Sequence, residues 1–232
     1  MPFCSTDLGL TFDPQVGERL IDLFAAFMLV CSLLFLATER RRLHVRLYAF
    51  QSLSLAVVAL SVAFFQCERH IFIAAALTLL LKVIIIPVAL ERILHRLIPQ
   101  QTVKPVINIP SSLLIAGVLV LAADLLTQSI LATGHPFALT RNVLTVSLAV
   151  MLLSLLSMVT RKKALTQVIG FLSMENGLFL AGITITAGMP MIVELGVFFD
   201  VLVAFFIMGV FLYRISETFD TINLEKLTKL KH

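Results

Sequence analysis

Charge is scarce in this chain. Asp, Glu, Lys and Arg make up only 14% of its 232 residues, and 59% are hydrophobic. Ordinary globular domains carry about 25% charged and about 45–50% apolar residues. A mean hydropathy of +1.01 cannot be hidden inside a water-soluble core of this size, because surface-to-volume scaling leaves much of a small chain exposed. Water as the main solvent, disorder and nucleic-acid binding are excluded together. Cysteine is scarce too. Cys4, Cys31 and Cys67 have no metal-ligand spacing, and two of them lie in apolar runs, so a disulfide scaffold is excluded and they read as small hydrophobes. Tryptophan is absent and tyrosine occurs twice, leaving 18 phenylalanines to supply the aromatic content.

Other absences narrow the class further. No segment alternates with period two, which argues against a β-barrel. The first apolar run follows Asp7, Asp13 and Glu18 instead of a basic stretch, and no small-x-small site follows it, so it does not read as a cleavable signal peptide. His44, His70, His95, His135 and His232 sit at expected helix ends or loops without metal spacing. No phosphate-binding glycine loop, nucleophile elbow, or Cys/His set for haem or iron–sulfur ligation is present. The chain is therefore expected to bind no metal or redox cofactor and to hold no catalytic centre of its own.

What is present is a series of long apolar runs. A spanning helix needs about 20 mostly apolar residues. Seven stretches qualify, at approximately 20–37, 47–65, 71–90, 111–132, 143–159, 164–187 and 191–213. Charged or Pro/Gly-containing segments separate them. The expected fold is an all-α membrane protein with seven transmembrane helices. Its cations set the orientation. Arg40, Arg41, Arg42, Arg46, Arg92, Arg96, Lys104, Arg161, Lys162, Lys163, Arg214, Lys226, Lys229 and Lys231 all fall on one side of that topology. Only Arg19, Arg69 and Arg141 fall on the other. By the positive-inside rule the N-terminus is outside and the C-terminus cytoplasmic.

Depth then singles out residues. Lys82 and Glu175 fall at the middle of the third and sixth spans, Asp200 near the middle of the seventh, and Asp124 slightly outside the middle of the fourth. Glu194 and Asp22 lie nearer span ends. Each charge at the bilayer centre costs about 2.5–3.5 kcal/mol on the mildest scale, so these groups must pair, neutralise or face a hydrated interior. Lys82 could be a purely structural partner of one carboxylate. The recurrence of carboxylates at one depth favours a membrane-embedded proton or ion path through Glu175, Asp200, Glu194, Lys82 and Asp124. Pro87, five residues after Lys82, removes a backbone donor and should bend the third helix beside it. On the sixth helix Gly182 shares the face of Glu175, whereas Gly170 and Gly177 share the opposite face. Small residues of this kind let membrane helices approach closely. Glu194 and Asp200 are about 120° apart around the seventh helix, so they cannot both meet one neighbour.

The run Gln167-Val-Ile-Gly-Phe-Leu-Ser-Met-Glu175-Asn-Gly, with Tyr48-Ala-Phe-Gln-Ser-Leu, Leu81-Lys82-Val-Ile-Ile-Ile-Pro87, Val193-Glu194-Leu-Gly through Asp200, and Phe219-Asp220-Thr-Ile-Asn223-Leu, resembles the hydrogenase-4 component E family. These are membrane subunits of formate hydrogenlyase-type and related group 4 [NiFe]-hydrogenase complexes. The last three helices are similar to subunit K of NADH-quinone oxidoreductase and to the small C subunit of multisubunit cation/proton antiporters. The resemblance divides the chain into a four-helix region at 1–137, a subunit K-like region at 138–215 and a cytoplasmic tail at 216–232. It matches Glu175 to the first of two buried glutamates of the K-type subunit. For the second, Asp200 matches in depth and Glu194 in residue type. It implies a non-redox, hetero-oligomeric subunit of a bacterial or archaeal cytoplasmic membrane. Its partners would be antiporter-like and quinone-site-like membrane subunits and a soluble hydrogenase-like module, with nickel–iron and iron–sulfur centres in those other subunits. The alternative is a subunit of a monovalent cation/proton antiporter.

Overall fold

The computed structural model describes residues 14–66, 76, 79–96, 107–132, 141–161 and 164–186, and every element among them is helical. In chain order these are α1 (Pro14–Ala37), α2 (Arg41–Gln66), a π-helical turn (Leu79–Ile85) running into α3 (Ile86–Arg96), α4 (Ile109–Ala132), α5 (Arg141–Thr160) and α6 (Ala164–Thr186). Five of them, α1, α2, α4, α5 and α6, are long and apolar enough to cross a membrane. The expected seventh span, with Glu194 and Asp200, lies outside the described residues.

Local sequence explains the boundaries. Pro14 opens α1, where a missing N–H costs nothing. Asn108 precedes α4, and its carbonyl accepts the Ser112 N–H at 3.0 Å, with Pro110 in the first turn. Both are ordinary helix-start features. Only Thr38, Glu39 and Arg40 separate α1 from α2, so the two pack as antiparallel neighbours.

Helices α1, α2, α6 and α5 form a closed ring in which each packs on the next, and α5 returns to α1. Large apolar side chains fill the middle: Met28 from α1, Leu55 and Val58 from α2, Val150 from α5, and Leu180 and Ile183 from α6. Outside the ring, the π-turn and α3 lie against α2, while α4 lies against α5 and α1. Mid-ring glycines set the α5–α6 spacing. A Cβ on Gly177 would sit 3.1 Å from both Met151 N and Ser147 O, so the two backbones nearly touch there. Gly170, also on α6, faces Met158 of α5. The face opposite Glu175 is thus the one α6 presses onto α5, as the small-residue spacing predicts. Gly182 is half-buried, farther along α6.

Candidate functional site

The expected bend at Pro87 takes a specific form. Pro87 cannot donate a backbone hydrogen bond, and the turns before it, Leu79–Ile85, are wound as a π-helix instead of an α-helix. Short π segments are common at functional sites. Lys82 lies in this segment and is completely buried.

Its ammonium meets α6. Lys82 Nζ is 3.4 Å from Glu175 Oε1, and the Glu175 side chain is only 4% exposed. The same nitrogen lies 5.6 Å from the centroid of the Phe179 ring, one helical turn beyond Glu175. An aromatic face at this distance stabilises a desolvated cation. Two of the groups that the sequence places at mid-depth are therefore a single buried pair, joined across the π-turn and α6.

Glu175 has polar company on one side. Asn176 Nδ2 donates to Ser52 Oγ at 3.0 Å and to Gln51 Oε1 at 3.4 Å. Gln51 Nε2 donates in turn to Ser32 Oγ at 2.9 Å, whose hydroxyl donates to Met28 O at 3.1 Å. A polar chain thus runs from α6 through α2 to α1, and all four side chains are buried. Asn176 Oδ1 is buried and has no donor among the described residues, an open acceptor on the residue next to the carboxylate. On the α5 side, Ser154 Oγ donates to Ser173 Oγ at 2.8 Å. These contacts form a polar layer through an otherwise apolar ring. A carboxylate and an ammonium this close can exchange a proton with no change in their summed charge, and amide and hydroxyl neighbours suit transient hydration.

Asp124 stands elsewhere. Its Oδ1 accepts from Arg141 Nη2 at 3.0 Å and its Oδ2 from Gln128 Nε2 at 2.7 Å. Asp124 and Arg141 are 41% and 51% exposed, on helices flanking the opposite side of the ring from the π-turn. Thus Lys82, Glu175 and Pro87 come together, whereas Asp124 does not join them, and Glu194 and Asp200 lie outside the described residues.

One cluster went unmarked in the sequence. Arg161, counted there as a loop cation, is only 2% exposed. Its Nη2 donates to Phe35 O at 3.0 Å and Leu36 O at 3.2 Å, closing the C-terminal end of α1 from the far end of α5. Burial holds the Arg161 guanidinium below its usual range, with the Glu39 charge acting in the opposite sense. His44 joins it, with its two ring nitrogens 3.0 Å from Arg40 O and 3.1 Å from Phe35 O, and stacks on the Phe35 ring. The Arg-Lys-Lys run carries no signal that separates its first member from the other two.

Among known proteins, an uncharacterized Mycobacterium tuberculosis protein, Rv0085, is 33% identical over 213 residues, covering 91% of this chain and 96% of its own length. Hydrogenase-4 component E of Escherichia coli K12 is 28% identical over 221 residues, covering 94% of this chain and all of its own length. The protein of that name from Shigella flexneri matches to the same extent. No family model and no solved structure matches.

Proposed function

This chain belongs to the hydrogenase-4 component E family, and from that membership we propose that it is a non-redox membrane subunit of an energy-converting, hydrogenase-type complex related to NADH-quinone oxidoreductase. In this reading the redox centres reside in other subunits, and this chain contributes part of the path by which protons cross the membrane.

The observation that carries the mechanism is the Lys82–Glu175 pair, buried between the π-turn and α6 at 3.4 Å. A proton arriving at the pair is received by Glu175 while Lys82 holds a compensating charge, and it leaves when the neighbouring charges change. Such a group works because burial and a nearby opposite charge let its protonation respond to its surroundings. The π-turn gives Lys82 a backbone whose winding can alter its reach. The Ser32–Gln51–Asn176 chain supplies hydrogen-bond partners beside the carboxylate. Asp200 and Glu194 are proposed as the next stations, on the seventh helix of a topology with its N-terminus outside and C-terminus in the cytoplasm.

Tagging this chain in its native host and purifying it in mild detergent tests the assignment. Co-purification of a nickel–iron hydrogenase-type subunit with antiporter-like and quinone-site-like membrane subunits is the expected result. Recovery with antiporter-type subunits alone transfers the chain to the cation/proton antiporter class, and a stable solitary chain overturns the complex reading.

A further inference from the structure

We propose that Asn176 Oδ1 is a second acceptor for the Lys82 ammonium, which leaves Glu175 when that carboxylate takes up a proton and moves across the Phe179 ring to the neighbouring amide. This deepens the reading of Glu175 as a proton-carrying group, on which it rests, by naming where the cation goes.

The directions of the hydrogen bonds around Asn176 single out its oxygen. Ser32 donates its hydroxyl proton to Met28 O, so its own oxygen accepts from Gln51 Nε2. With that nitrogen committed to α1, Gln51 Oε1 faces α6 and accepts from Asn176 Nδ2 at 3.4 Å. Ser52 Oγ accepts from the same nitrogen at 3.0 Å. The Asn176 amide is thereby held with its nitrogen on α2, and its oxygen is the arm left over. That oxygen is buried and has no donor among the described residues. A buried acceptor without a donor carries the full desolvation cost of the group, and few acceptors in folded proteins are left so.

Lys82 is placed to supply the donor. Its ammonium carries three N–H groups on a flexible four-carbon stem. Around the axis of α6, Phe179 falls about 40° from Glu175, and Asn176 about 100° in the same sense. Lys82 Nζ lies 5.6 Å from the Phe179 centroid as well as 3.4 Å from Glu175, so it sits on the side of Glu175 that faces Asn176. The π-turn that carries Lys82 lies against α2, and α2 lies against α6. The lysine backbone therefore borders the seam in which Asn176 is held.

The charges nearby leave the amide as the alternative to the carboxylate. Among the described residues, Lys82 and Glu175 are the charged side chains buried at this level, whereas His44 and Arg161 are buried where α1 meets α2. From α2 come Tyr48, Gln51 and Ser52, all neutral and buried. While Glu175 is ionised, its attraction holds the ammonium. Protonation removes that attraction, and the open acceptor one residue along then competes for the same N–H groups. The aromatic face between the two acceptors stabilises the desolvated cation as it crosses. Asn176 is thus a positioning residue: it carries no proton, but it makes opening of the pair less costly.

Two measurements on the complex purified through a tag on this chain test the assignment. Glu175→Gln stands in for the protonated carboxyl. Its structure by electron cryomicroscopy should show Lys82 Nζ within about 3.2 Å of Asn176 Oδ1, and the wild-type complex imaged below its uptake midpoint should show the same move. Asn176→Leu keeps a branched side chain and removes the acceptor. In proteoliposomes its coupled proton uptake should have a midpoint about one pH unit below wild type, because the protonated state of Glu175 loses a stabilising contact and more acid is needed to reach it. A purely structural amide would lower the yield and leave the midpoint where it was, and that result overturns the proposal. So does a different donor found on Asn176 Oδ1. Lys82 unmoved in a Glu175→Gln complex that has lost proton pumping overturns this proposal alone. Full pumping by Glu175→Gln overturns the relay reading and this proposal with it.

Discussion

Replacing Lys82 by methionine keeps most of the side-chain length but removes its charge, taking the Lys82 cation away from the buried Glu175. The pair is 3.4 Å apart and essentially inaccessible. At an effective dielectric constant of 20 its attraction is about 5 kcal/mol, much of it offset by the cost of taking both ions out of water. Removing one partner exposes that cost, and buried pairs broken from one side lose about 3–5 kcal/mol. Glu175→Gln takes that carboxylate away from the ammonium, and the Phe179 ring at 5.6 Å softens the loss. The double variant Lys82→Met/Glu175→Gln removes both members of the pair and is expected to cost about 1 kcal/mol or less, because removing both ions together is often nearly neutral. The cycle should therefore show an interaction energy of at least about 3 kcal/mol. SDS titration in mixed micelles, scoring release of this chain from the purified complex, measures it. Single-variant losses that simply add, with coupling below about 0.5 kcal/mol, would show that the two groups do not stabilise each other.

Other outcomes follow from separate parts of the structure. Gly177→Ala places a Cβ 3.1 Å from two backbone atoms of α5 and should cost about 1–3 kcal/mol in the same titration. Gly170→Ala, whose closest neighbour is Met158 Cγ at 2.7 Å, a flexible side chain able to turn aside, should cost less than Gly177→Ala; equal losses would contradict the packing described. Arg161→Leu frees the carbonyls of Phe35 and Leu36 at the end of α1 and should destabilise by about 1–3 kcal/mol, seen as earlier protease cleavage between α1 and α2; wild-type cleavage kinetics would remove Arg161 from that role. In right-side-out vesicles, an impermeant thiol reagent should label a cysteine placed at His135 and not one placed at Lys162, and the reverse pattern would invert the proposed topology.

The membrane class, the mid-span positions of Lys82 and Glu175 and a small-residue packing face on the sixth helix were legible in the sequence because each has a one-dimensional signature. Apolar run length reports solvent, depth within a run reports the cost of a charge, and seven-residue glycine spacing reports a shared helix face. Pro87 signalled a distortion but not its kind, since a missing donor is compatible with either a kink or a π-turn. The partner of Lys82 was not legible. Several carboxylates share its depth, and only the packing of the π-turn against α2 and α6 selects Glu175. Asp124 looked like a member of the same path because depth carries no azimuth, and the structure ties it to Arg141 at the start of α5, away from Lys82 and Glu175. Arg161 was hidden by its neighbours, because a basic run reads as solvated whether or not its first residue folds back over a helix end. Gln51 bonds Ser32 on α1 and Asn176 on α6, which makes it a link between helices and also a neighbour of the site.

The most direct test of the central claim is proton movement by the assembled complex carrying Glu175→Gln, reconstituted in proteoliposomes beside the wild type. The substitution keeps the size of the side chain and removes its charge and its titration. The expected result is a complex recovered in reduced but measurable yield, with redox turnover retained or slowed and coupled proton translocation per turnover lost, while Glu175→Asp retains part of it. Full proton pumping per turnover by the Glu175→Gln complex would contradict the assignment of Glu175 to the path and leave the Lys82–Glu175 pair a purely structural bond.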